Sequence, residues 1–480
     1  METNVSYRKA KPWQICIAPM YEGVSNLFMV LMMFSSYIAA GGYGIAVATA
    51  GLIATGTRLF DGITDPLIAL VCDRFNSKWG RIRILLAIGY LIICGSITCM
   101  FFVFPGKGII AYTVCYMCYI IGYTFFCVAS KAVPVVLTND PVQRPKIFRW
   151  TMIYTSLITT LFTGLYLGVV LMPKYGGLTM EAFQELAITC MIGGTVLLVL
   201  SFIAITPVDK PENFKNGGKK EKVSLRDCWN LIKGNRAMQL YILAASSDKL
   251  AQSAASQQAV NTLILGIIIG NYSFGGWMSF VTLPITIALL FWATKQVGKT
   301  SAREGVIRWS WIAIILNVIF VAFMVISDPT KISVAIVPTV LYTVLMVLKS
   351  AALTAGSACT GTMLPDIIDY EYNRSGNFMP STVGACYSFI DKLISSLSTT
   401  IVGFCLAMIG YASAMPQPGD PSTPAVFWMA MFLSCGLPIL GWICSLIAMK
   451  WYPLTKEKMI EIQEQNSERR RQAAENGGEA

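Results

Sequence analysis

Apolar blocks about twenty residues long recur along the whole chain, separated by short polar segments. Their approximate ranges are 14–40, 44–72, 84–104, 108–137, 148–172, 184–206, 237–268, 273–294, 307–327, 332–364, 380–409 and 425–449. A helix needs about 20 mostly apolar residues to cross the hydrocarbon core, so the pattern predicts twelve transmembrane helices in an all-α integral membrane fold. Pro and Gly inside the blocks do not oppose this, because neighbouring helices satisfy the freed backbone groups. A polar stretch with Pro211, Gly217, Gly218 and a Lys-rich run separates the first six blocks from the last six. The expected organisation is therefore a six-helix half over 1–206, a linker loop over 207–236, a second six-helix half over 237–450 and a charged tail over 451–480, helical at first. Transporters built from two such halves bind substrate between them near the bilayer midplane.

Composition agrees with this reading. Charged residues make up 13% of the 480 and the apolar set 55%, with a mean hydropathy of +0.59. Soluble chains carry about a quarter charged residues, so a soluble multidomain enzyme, a disordered chain and a secreted disulfide scaffold are excluded. The chain has no His, which removes a histidine proton relay, a Ser-His-Asp triad and a His-ligated metal. The 14 Cys are scattered through the apolar blocks without metal-ligand spacing and read as small packing residues. No cleavable signal peptide is expected, since 1–13 is polar and the first apolar block is long.

Sorting the charges by depth is more informative than the net charge of +11. With the N-terminus inside, 29 of the 37 Lys and Arg fall in cytoplasmic segments and only Lys107, Lys174 and Lys331 in outer loops. By the positive-inside rule, both termini and the linker are cytoplasmic. The positive balance thus records orientation and implies no nucleic-acid partner. Five bases then remain at membrane depth (Arg58, Lys131, Lys249, Lys349 and Lys392) beside five acids (Glu22, Asp61, Asp65, Asp248 and Asp391). A charge at mid-helix costs at least about 2.5 kcal/mol, so such residues face a pathway or one another.

Arg58, Asp61 and Asp65 are spaced three and four apart and share one helix face. Two carboxylates beside one guanidinium leave a charge that one Na⁺ or H⁺ completes; the other reading is a structural ion-pair network. Asp248 and Lys249 open a polar face with Gln252, Ser253, Ser256, Gln257 and Asn261. Such groups suit sugar hydroxyls, and equally suit hydrogen bonds between helices. Asp391 partners Lys392 or another helix. Lys131 either snorkels or lines the cavity, and the more central Lys349 meets an acid across the bundle or an anionic substrate. Tyr21, Tyr123, Trp277 and Tyr387 either stack on a sugar ring or pack.

At these residues the chain resembles the glycoside-pentoside-hexuronide:cation symporters, a melibiose-carrier-like branch of the major facilitator superfamily. The resemblance starts at Arg58-Leu-Phe-Asp61-Gly-Ile-Thr-Asp65-Pro66 and runs through Asp73-Arg74-Phe-Asn-Ser-Lys78-Trp79-Gly80-Arg81-Ile-Arg83. It continues at Leu364-Pro-Asp366-Ile-Ile-Asp369-Tyr370, Lys392, Gly410-Tyr411 and Tyr452-Pro-Leu-Thr455. It implies twelve helices in two pseudo-symmetric halves working by alternating access. It further implies that Asp61 and Asp65 bind the coupling cation, with Arg58 and Lys392 in the same polar network and Glu22 in the place of a sugar-contacting acid. Asp73, Arg74, Arg81, Arg144, Asp366 and Asp369 match the family's cytoplasmic charged network at the inner gate. The sequence departs from the family in two places. The fourth span reads Phe126-Cys127-Val128-Ala129-Ser130-Lys131 where relatives carry an acid and an aromatic platform, and Asn377-Phe378-Met379-Pro380 replaces charged residues, leaving Arg374 to complete the gate.

The function expected is import of a sugar or glycoside by symport with Na⁺ or H⁺ across a bacterial inner or plasma membrane. The lost acid and the three unassigned lysines favour an acidic sugar such as a hexuronide. Substrate contacts are expected from Glu22, Arg58, Asp248, Lys249, Gln257, Lys349 and Lys392. The carrier is expected to work as a monomer without a cofactor. The alternatives are a lysophospholipid or other amphiphile carrier and a non-transporting sensor. No nucleophile–base pair or metal cluster points to an enzyme.

Overall fold

The computed structural model describes residues 9–74, 80–130, 133–138, 143–209, 232–297, 302–375, 380–455, 457–462, 464–466 and 468. Their regular structure is entirely helical. In chain order the main helices are α1 (Pro12–Met32), α2 (Val47–Arg74), α3 (Ile82–Val103), α4 (Gly108–Ser130), α5 (144–175) and α6 (Met180–Ile205). Beyond the linker come α7 (Arg236–Ala255), α8 (Gln258–Ile268), α9 (Tyr272–Val297), α10 (Ala302–Ile326), α11 (Ile336–Ser375), α12 (Pro380–Met408) and α13 (Pro424–Lys450). Among the described residues nine spans are long and apolar enough to cross a membrane, and ten if the bent pair around 269–271 forms one more. Large apolar side chains such as Leu91, Ile110, Ile192 and Met408 point outward from their helices, as lipid-facing positions do. The protein is a multi-pass membrane protein.

The seventh apolar block is broken at 256–257, where α7 ends and α8 begins. The tenth extends further than its apolar stretch, because α11 runs on for three polar turns to Ser375.

The chain forms two compact units. The first comprises Met1–Lys220, Asn261–Leu283 and Thr399–Thr423. It therefore contains α1–α6 together with most of α8, the start of α9 and the end of α12. The joins are short-range. Thr55 and Thr400 hydroxyls meet at 2.6 Å, Tyr37 donates to the Thr262 hydroxyl at 2.8 Å, and the Gln417 amide oxygen accepts from the Leu178 N–H at 3.0 Å. Within this unit α3 and α4 cross at Gly89 and Gly122. A Cβ on Gly89 would lie 2.8 Å from the Phe126 nitrogen, and one on Gly122 2.9 Å from the Ile93 nitrogen. Small residues let two helices approach this closely, and the crossing fixes the rotation of α4.

At the basic end of unit 1, the fully buried Asp209 carboxylate closes the N-terminus of α3. Its two oxygens accept from the backbone N–H groups of Arg81, Ile82 and Arg83 at 3.0–3.1 Å and pair with the Arg83 guanidinium at 3.2 Å. The first N–H groups of a helix lack intrahelical partners and carry positive dipole charge, so a carboxylate from the segment after α6 answers both. Gly80, with φ +107°, makes the turn that aims them. Asp209→Ala leaves three donors and one guanidinium without their acceptor and is expected to cost about 3 kcal/mol. A lower unfolding temperature of the detergent-purified variant is the measurement, and a temperature equal to wild type would refute the role.

Unit 2 comprises Glu221–Val260, Pro284–Ser398 and Pro424–Ala480. Its core at the basic end joins Tyr241 of α7 and Met363 and Ile367 of α11 to Leu454 and Ile462 of the tail. Residues 457–462 form helical turns, and Ile462 is 1% exposed, so the start of the charged tail packs as part of the unit. The Asn466 amide donates to the Asp369 carbonyl at 2.9 Å, and the Asn373 and Gln465 side chains bond at 2.9 Å.

Candidate functional site

The charged residues of the first two helices converge on α4. The 28-residue α2 carries Arg58 and Asp61 one turn apart. Asp61 is 8% exposed, and its Oδ1 accepts from the Thr124 hydroxyl of α4 at 2.8 Å. Thr64 returns its hydroxyl to the Asp61 carbonyl at 3.3 Å. Arg58 has Asp61, Tyr116, Tyr119 and Tyr123 as electrostatic neighbours, and Tyr123 has Glu22 of α1 as another. Glu22 also takes a 3.4 Å hydrogen bond from Ser25. Asn26, one turn further along α1, donates to the Thr155 carbonyl and the Thr159 hydroxyl of α5, both at 2.9 Å. Thus α1, α2 and α4 bring two acids, one guanidinium, a hydroxyl and an aromatic face to one place, with α5 holding α1 in position.

The aromatic wall of this place is periodic. Tyr112, Tyr116, Tyr119 and Tyr123 recur at helical spacing along one face of α4. Consecutive centroids lie 5.8, 6.2 and 5.8 Å apart, the last two pairs nearly parallel. Such stacking holds the rings as one surface. The fourth span therefore does supply aromatic groups to the site, one to three turns before the stretch where family members carry them. Tyr116, Tyr119 and Thr124 were not singled out by sequence; the Tyr spacing of four, three and four was the available signal.

Other expected residues divide by unit. In unit 2, Lys249 of α7 and Asp391 of α12 are electrostatic neighbours. Tyr387 donates to Asp391 at 3.4 Å while its ring packs 4.9 Å from that of Tyr241. Asp391 thus has a base on another helix, one of the two arrangements the sequence leaves open. Asp248 accepts from the Ser445 hydroxyl of α13 at 2.7 Å. Gln257 sits at the break between α7 and α8. Lys392 follows Asp391 on α12, and its carbonyl accepts from the Ser395 hydroxyl at 3.3 Å. Lys349 places its ammonium 4.0 Å over the Phe320 ring of α10 and 3.2 Å from the Cys435 sulfur. Lys349 therefore packs against the apolar helices α10 and 424–450 of its own unit. Lys131 and the side chains of Asp65, Asp73, Arg74 and Arg144 lie outside the described residues.

The basic-end network is partly visible. Arg81 donates to the Cys72 carbonyl at 2.7 Å, tying the end of α2 to the start of α3. Arg374 forms a two-pronged pair with Glu371, at 3.2 and 3.0 Å, and also reaches the Gly234 carbonyl. Glu371 is 3% exposed and accepts from the Asn235 amide at 2.8 Å. Asn235 in turn caps α7 through its Oδ1 and the Met238 N–H at 2.9 Å. Glu371 was not singled out by sequence, because one acid among several near a charged end has no distinguishing mark. Asp369 and Asp366 lie on the preceding turns of α11, where the Asp369 carbonyl holds the tail.

A helical membrane protein with a charged, aromatic site of this kind falls in the transporter class, and the comparisons place it within that class. Residues 15–456 match the MFS/sugar transport protein family, and the chain belongs to that family. It is 23% identical over 449 residues to the "Putative glycoside/cation symporter YagG" of Escherichia coli strain K12, covering 92% of this chain and 91% of that one. The inner membrane symporter YicJ of the same organism is 24% identical, covering 93% and 92%. Among solved structures, the nucleoside transporter NupG aligns with TM-score 0.61 and 14% identity over 92% of this chain and all of that one. A bacterial homologue of the lysosomal transporter Spinster aligns with TM-score 0.58 and 13% identity, covering 94% and 99%. These structures share the major facilitator fold. The resemblance read from the Arg58–Asp65 motif is therefore borne out at the level of family and fold.

Proposed function

We propose that the protein takes up a sugar or glycoside by symport with Na⁺ or H⁺. In this reading Asp61, with Asp65, receives the cation, while Glu22 and Arg58 hydrogen-bond sugar hydroxyls beside the Tyr116–Tyr119–Tyr123 face. The observation that carries it is the convergence of Glu22, Arg58, Asp61 and Thr124 around Tyr123. A hard cation suits carboxylate and hydroxyl oxygen, and a tyrosine face suits a sugar ring. Relatives named as glycoside/cation symporters support the pairing of substrate and ion.

Charge preference for the substrate shifts on the geometry. The acidic-sugar expectation drew on Lys131, Lys249 and Lys349. Lys249 has Asp391 as a neighbour whose charge offsets its own, and the Lys349 ammonium is engaged over the Phe320 ring. A neutral glycoside is accordingly the first substrate to test. Proteoliposomes given neutral and acidic sugars, with Na⁺ and pH gradients imposed separately, are expected to accumulate a neutral glycoside under one gradient. Accumulation of uronic sugars alone reverses the charge preference, and no gradient-driven uptake of any sugar refutes the symport reading.

A further inference from the structure

Unit 2 holds a polar cavity lined in part by Asp248 and Gln252, residues of the α7 face that the sequence offered for sugar hydroxyls. It lies among Asp248 and Gln252 of α7, Ser310 of α10, Ser357 and Thr360 of α11, and Trp442 of α13, and is partly open. Asp248 and Gln252 are four residues apart on one helix face, and Ser357 and Thr360 are three apart on another. Three helices therefore direct a carboxylate, an amide and three hydroxyls toward a shared space, with Trp442 as the apolar wall. At its centre there is room for about one water-sized particle.

Among the described residues the carboxylate here has no counter-charge at ion-pair distance. Asp248 accepts one hydrogen bond, from the neutral Ser445 hydroxyl at 2.7 Å, and among the described residues no Lys or Arg forms an ion pair with it. Lys249 is adjacent in sequence, but points about 100° further round α7 and has Asp391 as its electrostatic neighbour. Among the described residues Tyr387 of α12 is a further titratable neighbour of Asp248. An uncompensated charge at membrane depth is disfavoured by several kcal/mol, so a cation in the cavity would remove a real penalty. The ligand chemistry is selective. One carboxylate with neutral oxygens matches a single positive charge, and among the described residues no group of three or more His, Cys, Asp or Glu could hold a divalent metal. Thr360 spends its hydroxyl proton on the Gly356 carbonyl at 3.1 Å, which leaves its oxygen lone pairs for a cation.

We propose that this cavity is a Na⁺ site within unit 2, separate from the cation cluster of α2, with Asp248 supplying the charge and Gln252, Ser310, Ser357 and Thr360 supplying neutral oxygen ligands. The site is distinct from the α2 cluster, because it involves no residue assigned there, and it moves Asp248 from sugar contact to cation ligand. The test counts Na⁺ bound per chain at equilibrium on the detergent-purified protein, using radioactive Na⁺ with Li⁺ and K⁺ as competitors. Asp248→Asn is expected to bind one Na⁺ fewer than wild type, and Asp61→Asn to keep the Asp248-dependent ion. Thr360→Val retains Asp248 and its shape, and is expected to weaken that ion's affinity about tenfold. It also keeps the experiment decisive where Asp248→Asn fails to fold. Unchanged Na⁺ number in Asp248→Asn, or unchanged affinity in Thr360→Val, overturns the site. Loss of gradient-driven uptake in Asp61→Asn with the Asp248-dependent ion intact separates the two cation sites.

Discussion

Asp61→Asn is expected to abolish concentrative sugar uptake while leaving downhill exchange across the membrane. Asparagine keeps the volume of Asp61 and an oxygen able to accept from Thr124, so the α2–α4 contact survives and the negative charge alone is lost. Without that charge a cation no longer gains from occupying the site, and the reciprocal tightening of sugar and cation disappears. One charge moving through 100 mV supplies about 2.3 kcal/mol, which corresponds to about fiftyfold accumulation. The internal-to-external sugar ratio in Asp61→Asn proteoliposomes is expected to fall to about one under the same gradient. Preloaded vesicles are still expected to exchange labelled sugar for unlabelled. A variant that accumulates sugar like the wild type would refute the placement of the coupling ion. The Arg58 charge remains in place in this variant, so substrate affinity is expected to change less than the accumulation ratio.

The features legible in sequence were those that the bilayer enforces. Apolar blocks of helix length must recur in a membrane protein, and charges within them stand out because each is disfavoured there. Glu22, Arg58 and Asp61 were therefore readable one by one; Glu22 and Arg58 are neighbours of Tyr123, and Asp61 of Arg58. Thr124, Tyr116 and Tyr119 were not, because hydroxyls and aromatics are ordinary in membrane helices and only the rotation of α4 at Gly89 and Gly122 turns them to α2. Asp209 was hidden for a related reason. It stands at the start of a polar linker, where a carboxylate looks solvated, yet it closes the N-terminus of a helix 126–128 positions earlier. Composition likewise gave no sign that most of α8, the start of α9 and the end of α12 would pack against α1–α6. That packing depends on backbone contacts made possible by single glycines.

One of those contacts carries the second large effect. Gly164 of α5 and Gly276 of α9 bring two helix backbones together inside unit 1. A Cβ on Gly276 would overlap the Gly164 carbonyl oxygen and stand 2.7 Å from its carbon. A Cβ on Gly164 would meet the Gly276 Cα at 3.2 Å. The neighbouring Ser273 hydroxyl donates to the Gly168 carbonyl at 2.7 Å, so the same face of α9 is hydrogen-bonded to α5 one turn further on. The obstacle at Gly276 is backbone and cannot rotate aside, unlike a flexible side chain. Gly276→Val is therefore expected to push α9 off α5, with overpacking of about 3 kcal/mol and the loss of the Ser273 bond. At Gly164 an added Cβ would meet the Gly276 backbone at 3.2–3.6 Å, which has to give by only a few tenths of an ångström, so Gly164→Ala is expected to cost less than Gly276→Val. Gly276→Val is thus expected to lower uptake at least about tenfold and to lower the unfolding temperature, whereas Gly164→Ala retains most of both. A Gly276→Val protein with wild-type uptake and stability would show that α9 tolerates separation from α5.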